Sequence, residues 1–315
     1  MGYFSEVMKK IFLNGYFGFK NFGDDILHKQ VLKLLETYHN TNKICYLSPR
    51  YNLLKLLTII RKGDVVINIG GIFQDKTGCL SFFYYFLINL IFILRQGKII
   101  SLSIDIADLR CMLNFFLFKY LIKHSEITVF RDKQSYLKFT TNKNVFYTCD
   151  IGFLFSIKRC RGRKNSNTVI VLKPCKNIKY LISILNKLDD KIFIIMPEDF
   201  PALKKYLGNN VWIYNGDINY LAKIIQNSKL LISMRYHPAV IALKYMIPVI
   251  LISNENKIKN FASEYNLLFF NPDEKKLIDK LKIKSYIKVS VSQPEIRKCI
   301  EEWKRIKEKI GDILN

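Results

Sequence analysis

Residues 11–25 read Ile11-Phe12-Leu13-Asn14-Gly15-Tyr16-Phe17-Gly18-Phe19-Lys20-Asn21-Phe22-Gly23-Asp24-Asp25. An apolar run of strand length ends at Asn14, a loop with three glycines follows, and a helical pattern starts near Asp24. The same strand–loop–helix order recurs along the chain, with six strands predicted in each half. Continuous apolar strands that alternate with helices indicate parallel sheets covered on both faces.

A second stretch of this kind lies in the other half and reads Ile232-Ser233-Met234-Arg235-Tyr236-His237-Pro238. It also follows an apolar strand and opens a helix, where backbone N–H groups favour an anion. Open α/β sheets bind ligands outside the carboxyl ends of their strands. One such loop in each half predicts two doubly wound Rossmann-like domains that face a cleft.

The boundary between the halves is predicted at residues 159–167, which are basic and polar and lack an apolar period. We therefore expect an N-terminal domain over residues 1–160 and a C-terminal domain over residues 168–290. A helix is predicted at 273–282. Residues 291–315 form the pattern of an amphipathic helix, with apolar positions at Ile296, Ile300, Trp303, Ile306 and Ile310.

The chain has 315 residues and a formal net charge of +24. This excess would suit a partner such as nucleic acid, an anionic membrane surface or an anionic substrate. The lysines are, however, scattered along the chain, as is typical of proteins from AT-rich genomes. No nucleic-acid-binding signature is present, so no nucleic-acid partner is expected. Seven cysteines without a C-x-x-C pair, and the absence of a secretory signal, predict a reduced cytoplasmic protein without a metal site.

The apolar segment 79–94 is shorter than the ~20 residues that span a bilayer. We interpret it as a buried crossover helix. Because Arg95 and Lys98 follow it, a peripheral contact with the inner face of the membrane is the alternative.

The most distinctive candidate residues are Arg235 and His237. An arginine can clamp a phosphate or carboxylate bidentately, and a histidine can move a proton near neutral pH. Lys173 and Lys257 follow other strands of the same half. Together with Arg235 they predict a cationic pocket for a small, multiply charged anion.

The candidates in the first half follow three predicted strands. They are Gly18, Asn21 and Asp24 after the first strand, Gly70, Gly71, Gln74 and Asp75 after the third, and Arg131 after the fifth. The glycines allow backbone to approach a ligand, and the amide and carboxylates can bond sugar hydroxyls. Helix capping is the competing interpretation for Asp24, Asp25 and Asp132.

Taken in order, these motifs resemble the polysaccharide pyruvyl transferase family. The match extends over about residues 10–265 and includes Gly15 to Leu27, Gly70 to Thr77 with Ser81 and Tyr84-Tyr85, Arg131-Asp132 with Ser135, Asp150, Ser233 to His237, and Lys257. The sequence departs from the family at Ser101 to Asp105, where many members have a Gly-Gln-Gly-type stretch. It also departs at Asn68 or Ile72, in place of a third glycine, at Pro238, and at Lys173, in place of arginine.

The resemblance implies glycosyltransferase-B-type domains. It also implies transfer of an enolpyruvyl-derived group from phosphoenolpyruvate to a sugar of a cell-surface polysaccharide or its lipid-linked precursor, giving a pyruvate ketal. No cofactor or metal is then needed. His237 becomes the expected acid/base, and Asp24 orients or deprotonates an acceptor hydroxyl on the N-terminal side. Arg235, Lys173 and Lys257 bind the donor, while Asn21, Gln74 and Asp75 hold the sugar.

Two other functions stay open on the sequence. The two-domain layout also fits a nucleotide-sugar-dependent glycosyltransferase, for which Glu198, Asp199, Asp217 and Glu255 lie near strand ends. The charge and the apolar segment also fit a non-enzymatic scaffold that binds membranes or polyanions.

Overall fold

The computed structural model describes residues 9–38, 44–47, 51–75, 78–107, 109–158, 167–208, 210–274 and 293–314. Most of the predicted linker at 159–167 and of the predicted helix at 273–282 lies outside these residues. The chain divides into two compact units. Unit 1 comprises residues 1–16, 31–148 and 302–315, and unit 2 comprises residues 17–30 and 149–301.

Unit 1 is built on a six-stranded parallel sheet with the strand order β2-β1-β3-β4-β5-β6. The strands are β1 (Ile11–Asn14), β2 (Ile44–Leu47), β3 (Val65–Ile69), β4 (Lys98–Ile104), β5 (Ile127–Phe130) and β6 (Val145–Tyr147). The crossover helices are α2 (Leu53–Ile59), α3 (Cys79–Leu94), α4 (Met112–Lys123) and α5 (Lys133–Leu137), and α1 (Phe22–Leu35) joins β1 to β2.

Unit 2 repeats this architecture, with the strand order β12-β11-β10-β7-β8-β9. Its strands are β7 (Thr168–Leu172), β8 (Lys191–Ile195), β9 (Val211–Ile213), β10 (Leu230–Ser233), β11 (Val249–Ile252) and β12 (Leu268–Phe270). Its helices are α6 (Ile178–Leu185), α7 (Phe200–Leu203), α8 (Ile218–Asn227), α9 (Tyr236–Lys244) and α10 (Asn256–Glu264). A last helix, α11 (Gln293–Leu314), belongs to both units.

The predicted fold class is confirmed, because each half forms one parallel sheet with helical crossovers. Every one of the twelve predicted strands is present, since a short apolar run between helical patterns is a strong local signal.

The compact units divide the chain differently from the predicted ranges 1–160, 168–290 and 291–315. Residues 17–30 group with unit 2, where the Phe22 ring lies 5.6 Å from the Tyr214 ring. Residues 302–315 group with unit 1, where Gly311 packs on Tyr38 and Lys98 donates to the Ile313 carbonyl. These are contacts between distant parts of the chain, which no local pattern encodes.

The segment interpreted as a crossover helix is α3, which joins β3 to β4. It buries Phe82, Ile88 and Phe92 against the sheet. Among the residues that the structure describes, no helix is long and apolar enough to cross a membrane.

A buried polar network lies inside unit 1 across β1, β3 and β4. Asn68 is central: its Oδ1 accepts from Asn14 at 2.7 Å and from Asn89 at 3.1 Å, and its Nδ2 donates to Asn89 and Ser101. All four side chains are almost fully excluded from solvent. Because unpaired polar groups are costly in such an interior, the network depends on Asn68.

We expect Asn68→Ala to lower the free energy of unfolding by about 2–4 kcal/mol, because it removes the hydrogen bonds that Asn68 makes to the buried Nδ2 of Asn14 and Oδ1 of Asn89. Chemical denaturation measures the change. The control is Asn219→Ala at an exposed asparagine, which should stay within about 0.5 kcal/mol. Equal losses in the two variants would contradict a special role for the network.

Candidate functional site

The candidate site lies at the carboxyl edge of the sheet of unit 2. Its charged residues follow β11, β10, β7 and β8, four strands that are neighbours in the sheet. In that order the strands are followed by Glu255 and Lys257, by Arg235 and His237, by Lys173, and by Glu198 and Asp199. The topology therefore gathers the predicted donor residues at the edge where open α/β sheets bind ligands.

His237 is paired with a buried carboxylate. Its Nε2 lies 3.6 Å from Oδ2 of Asp150, which is fully buried. The other oxygen, Oδ1, accepts from the backbone N–H of Gly152 at 2.7 Å, so the carboxylate has a fixed orientation. A carboxylate at this place stabilises positive charge on the imidazole and holds one ring orientation. This arrangement suits a group that receives and returns a proton.

Gly23 brings the first glycine-rich stretch against this pair. A Cβ atom on Gly23 would lie 2.1 Å from Nδ1 of His237, so only glycine leaves room for the ring. Asn21 accepts from the Gly23 backbone N–H at 3.1 Å and thereby caps helix α1. The two stretches that the sequence assigns to separate domains thus meet within unit 2.

The two adjacent carboxylates of this stretch lie in the first turn of α1. Tyr214 donates to Oδ2 of Asp25 at 2.8 Å, and burial nevertheless raises the pKa of Asp25. The same burial and hydrogen bond raise the pKa of Tyr214. Asp24 is half-buried. Their place in the first turn lets them complement the helix dipole, but Asn21 rather than either aspartate caps α1. Asp25 also connects α1 to the strand end at Tyr214.

Arg235 is held by two carboxylates that the sequence does not place beside it. Its guanidinium donates to Glu198 at 2.8 Å and to Asp199. Burial lowers the pKa of Arg235, but the two ion pairs outweigh it and the net shift is upward. Burial also raises the pKa of Asp199, and Arg235 offsets only part of that rise. Asp199 therefore takes up a proton more readily than an exposed carboxylate as the pH falls.

Glu255 pairs with both predicted lysines. Lys173 Nζ lies 2.5 Å from Oε1 of Glu255, and Lys257 Nζ lies 3.2 Å from Oε2. Glu255 is buried, and its backbone N–H donates to Ser253. The predicted pocket therefore contains three cations and three carboxylates, so an anion that binds there must compete with existing ion pairs.

In unit 1, Arg131 is buried in an ion pair with Asp105. A Cβ on Gly71 would lie 3.0 Å from Oδ2 of Asp105, so this glycine lets the backbone approach the pair. Asp132 caps α5 by accepting from the Ser135 N–H at 2.8 Å, and burial raises its pKa. Arg131 thus has a carboxylate partner inside the unit, which the sequence interpretation of a binding arginine did not include.

The remaining predicted residues of the first half lie in turns. Gly18 and Gly70 adopt positive φ angles of 83° and 75°. Asp75 accepts from the backbone N–H groups of Arg110 and Cys111 and from the Asn114 amide. Burial alone would raise the pKa of Asp75, but these hydrogen bonds outweigh it and lower the pKa. Asp75 therefore fixes the start of α4, while Gln74 is half-buried.

Comparison with known proteins identifies the family. A model described as polysaccharide pyruvyl transferase matches residues 21–256, well over half of the chain. The chain belongs to the polysaccharide pyruvyl transferase family. No curated protein sequence matches it. In the part of the chain that the structure describes, no group of three or more His, Cys, Asp or Glu residues is arranged to hold a metal ion.

Solved structures with a similar fold include UDP-GlcNAc 2-epimerases and a glycosyltransferase. The UDP-GlcNAc 2-epimerase of Methanocaldococcus jannaschii, determined with UDP-GlcNAc and UDP, has 13% identity and a TM-score of 0.61 over 91% of this chain and 96% of that one. The Neisseria meningitidis epimerase has 15% identity and a TM-score of 0.55 over 94% and 99%. The glycosyltransferase SnogD of Streptomyces nogalater has 12% identity and a TM-score of 0.50 over 98% and 100%. These likenesses establish two Rossmann-like domains of the glycosyltransferase-B type.

For a member of this family, the structure adds site residues that sequence reasoning did not select. Asp150 belongs to the motif series, but its pairing with His237 becomes visible only in the fold. Gly23 is one of three glycines in the same stretch, and nothing in the sequence distinguishes it from the other two. On the sequence, Glu255, Glu198 and Asp199 support only the glycosyltransferase alternative. In the structure they form ion pairs with Lys173 and Arg235.

We expect Gly23→Ala to cost about 1–3 kcal/mol of unfolding free energy, because the new methyl group displaces the His237 ring from Asp150. In the His237→Ala background the same change should become neutral or slightly stabilising, since alanine is the better helix former and the clash is gone. A double-mutant cycle by chemical denaturation measures this coupling. Gly208→Ala, where a Cβ meets nothing within 4 Å, is the control. Additive effects of Gly23→Ala and His237→Ala would contradict the contact.

Proposed function

We propose that this chain transfers the enolpyruvyl-derived group of phosphoenolpyruvate to a sugar of a cell-surface polysaccharide or its precursor, forming a pyruvate ketal in the cytoplasm without a cofactor. The observation that carries the proposal is the His237–Asp150 pair next to Arg235 in a chain of the polysaccharide pyruvyl transferase family. The pair supplies proton transfer, and the neighbouring arginine supplies a site for an anion.

The donor carries a phosphate and a carboxylate, so its binding requires several fixed cations. Arg235 can contact one of these groups bidentately, and Lys173 and Lys257 can contact the other as point charges. Glu198, Asp199 and Glu255 hold these cations in place before the donor arrives. When the donor binds, the cations exchange contacts with these carboxylates for contacts with the donor. The affinity for the donor therefore reflects the free-energy difference between the new contacts and those that are lost.

The reaction needs proton transfer at two steps. In the first, a sugar hydroxyl adds to C2 of the donor, its proton leaves, and C3 gains a proton to become a methyl group. In the second, the C2–O bond to phosphate breaks as a second hydroxyl attacks C2 and loses its proton. His237, in its protonated form beside Asp150, is the proposed acid for C3 and can then accept a hydroxyl proton.

On the acceptor side, Asp24 is the proposed group that orients or deprotonates a hydroxyl, since it lies near the start of the helix whose Gly23 touches His237. Gln74 remains proposed as a sugar contact. Asn21 and Asp75 already accept hydrogen bonds that cap helices, so they have fewer lone pairs left for the sugar.

We expect His237→Ala to lower kcat for phosphate release from phosphoenolpyruvate by about 10²–10⁴-fold, the usual contribution of general acid–base catalysis. Arg235→Ala should mainly raise the KM for phosphoenolpyruvate, by about 10–100-fold, since it removes charge-assisted hydrogen bonds. Steady-state phosphate release with a panel of sugar and lipid-linked acceptors measures both. His124→Ala, at an exposed histidine, is the control. Unchanged turnover in His237→Ala would refute the assigned role.

A nucleotide-sugar-dependent glycosyltransferase is the second candidate. It is favoured by Glu255, a buried carboxylate at the start of α10 that could accept hydrogen bonds from ribose hydroxyls, and by the two carboxylates that already pair with Arg235. The structural neighbours bind or transform UDP-sugars, but at these identities they support the fold rather than the ligand.

A thermal-shift comparison separates the two candidates. We expect phosphoenolpyruvate to raise the melting temperature and UDP to leave it unchanged, because a ligand stabilises only the folded protein that binds it. Arg235→Ala should abolish the shift. Stabilisation by UDP but not by phosphoenolpyruvate would support the glycosyltransferase instead.

A further inference from the structure

Three helices of unit 1 expose a group of large apolar side chains. Among the residues that the structure describes, fifteen large hydrophobic side chains are exposed, and nine of them lie on α2, α3 and α4. Of these nine, the most exposed are Leu54, Leu80, Leu94, Met112, Leu113 and Phe116, with Leu80 at 86% and Phe116 at 58%. We call the exposed sides of these three helices the apolar helix face.

These side chains share one layer of the fold. The helices α2, α3 and α4 connect β2 to β3, β3 to β4 and β4 to β5, which all advance in the same direction across the sheet. Right-handed crossovers that advance in one direction place their helices on one face. Consistently, α2 packs against α3 and α3 against α4. Within α3, Leu80, Leu87 and Leu94 recur every seven residues and form one stripe.

The charge around this face is mostly positive. Residues 51–63, 78–104 and 109–125 contain eight lysines and arginines and no aspartate or glutamate. Lys119 and Lys123 are exposed on the same helix as Phe116, and Lys55 is exposed beside Leu54. Carboxylates are few here: Asp75 caps the start of α4, and Glu126 follows its end. An apolar surface on which cations outnumber carboxylates matches an anionic bilayer, whose headgroups carry the negative charge and whose acyl chains accept apolar side chains.

We propose that the apolar helix face docks the protein on the surface of an anionic phospholipid bilayer. The helices lie on the membrane and do not cross it, because the longest has 16 residues against the ~20 that span a bilayer. A second copy of the chain fits this face less well, since two such faces would bring an excess of like charges together with few carboxylates to pair them. The proposal goes beyond the transfer reaction and does not depend on it.

Vesicle flotation of the full chain tests the proposal. Phosphatidylcholine vesicles with about one third phosphatidylglycerol should bind the protein, pure phosphatidylcholine vesicles should bind it far less, and added salt should weaken binding. Leu113→Glu/Phe116→Glu should reduce the bound fraction by about tenfold or more, since it removes two inserted side chains. Lys223→Glu, on the exposed side of α8, changes the net charge by the same two units and should stay within about twofold of the wild type.

A neutral variant separates apolar insertion from charge. Leu113→Ser/Phe116→Ser keeps the net charge and should also lose most of the binding. Circular dichroism should show that each variant is folded, because the substituted side chains are exposed. Absent binding of the wild type to anionic vesicles would overturn the proposal. The proposal would also be overturned if the Leu113→Glu/Phe116→Glu variant bound as strongly as the wild type, or if Lys223→Glu lost as much binding. A dimer that light scattering detects in the wild type and that Leu113→Glu/Phe116→Glu dissociates would equally contradict it.

Discussion

The buried carboxylate of Asp150 constrains the packing around the candidate site. A fully buried anion is costly unless fixed donors compensate it. The Gly152 N–H satisfies one oxygen, and the His237 ring faces the other. The ring then needs space, which Gly23 provides by having no side chain. One buried charge thereby ties the start of α1, the short helical turn after Asp150 and the start of α9 into a single arrangement within unit 2.

The sequence predicts the fold well because its signals are local. Apolar runs gave all twelve strands, and the position of Arg235 and His237 after β10 placed them correctly at the carboxyl edge. The ion-pair partners could not be predicted in the same way. Glu255 is 82 residues from Lys173, and Asp105 is 26 residues from Arg131. Such contacts depend on the order of the strands in the sheet. The local pattern of a single sequence does not determine that order.

The departures from the family pattern acquire physical roles in unit 1. Asn68 and Ser101 take part in the buried amide network, and Asp105 neutralises Arg131. Ser103 has φ of 53° at the point where the β4–β5 register shifts, a left-handed conformation that favours glycine. Asn68, Ser101 and Asp105 thus hold this part of unit 1 through side-chain hydrogen bonds and an ion pair.

The pairing of Arg235 and the two lysines with carboxylates has a consequence for the selectivity of ligand binding. Three unpaired cations on one edge of the sheet would attract any small anion. When the cations are already paired with carboxylates, binding is favourable only for a ligand whose contacts replace those that it breaks. A ligand with two anionic groups offers contacts to both Arg235 and the lysines, so it can replace more of the broken ion pairs than a ligand with one anionic group. The carboxylates Glu198, Asp199 and Glu255 thus lower affinity for all anions, but lower it least for a ligand with two anionic groups. Charge balance among these side chains is therefore compatible with the proposed anionic donor.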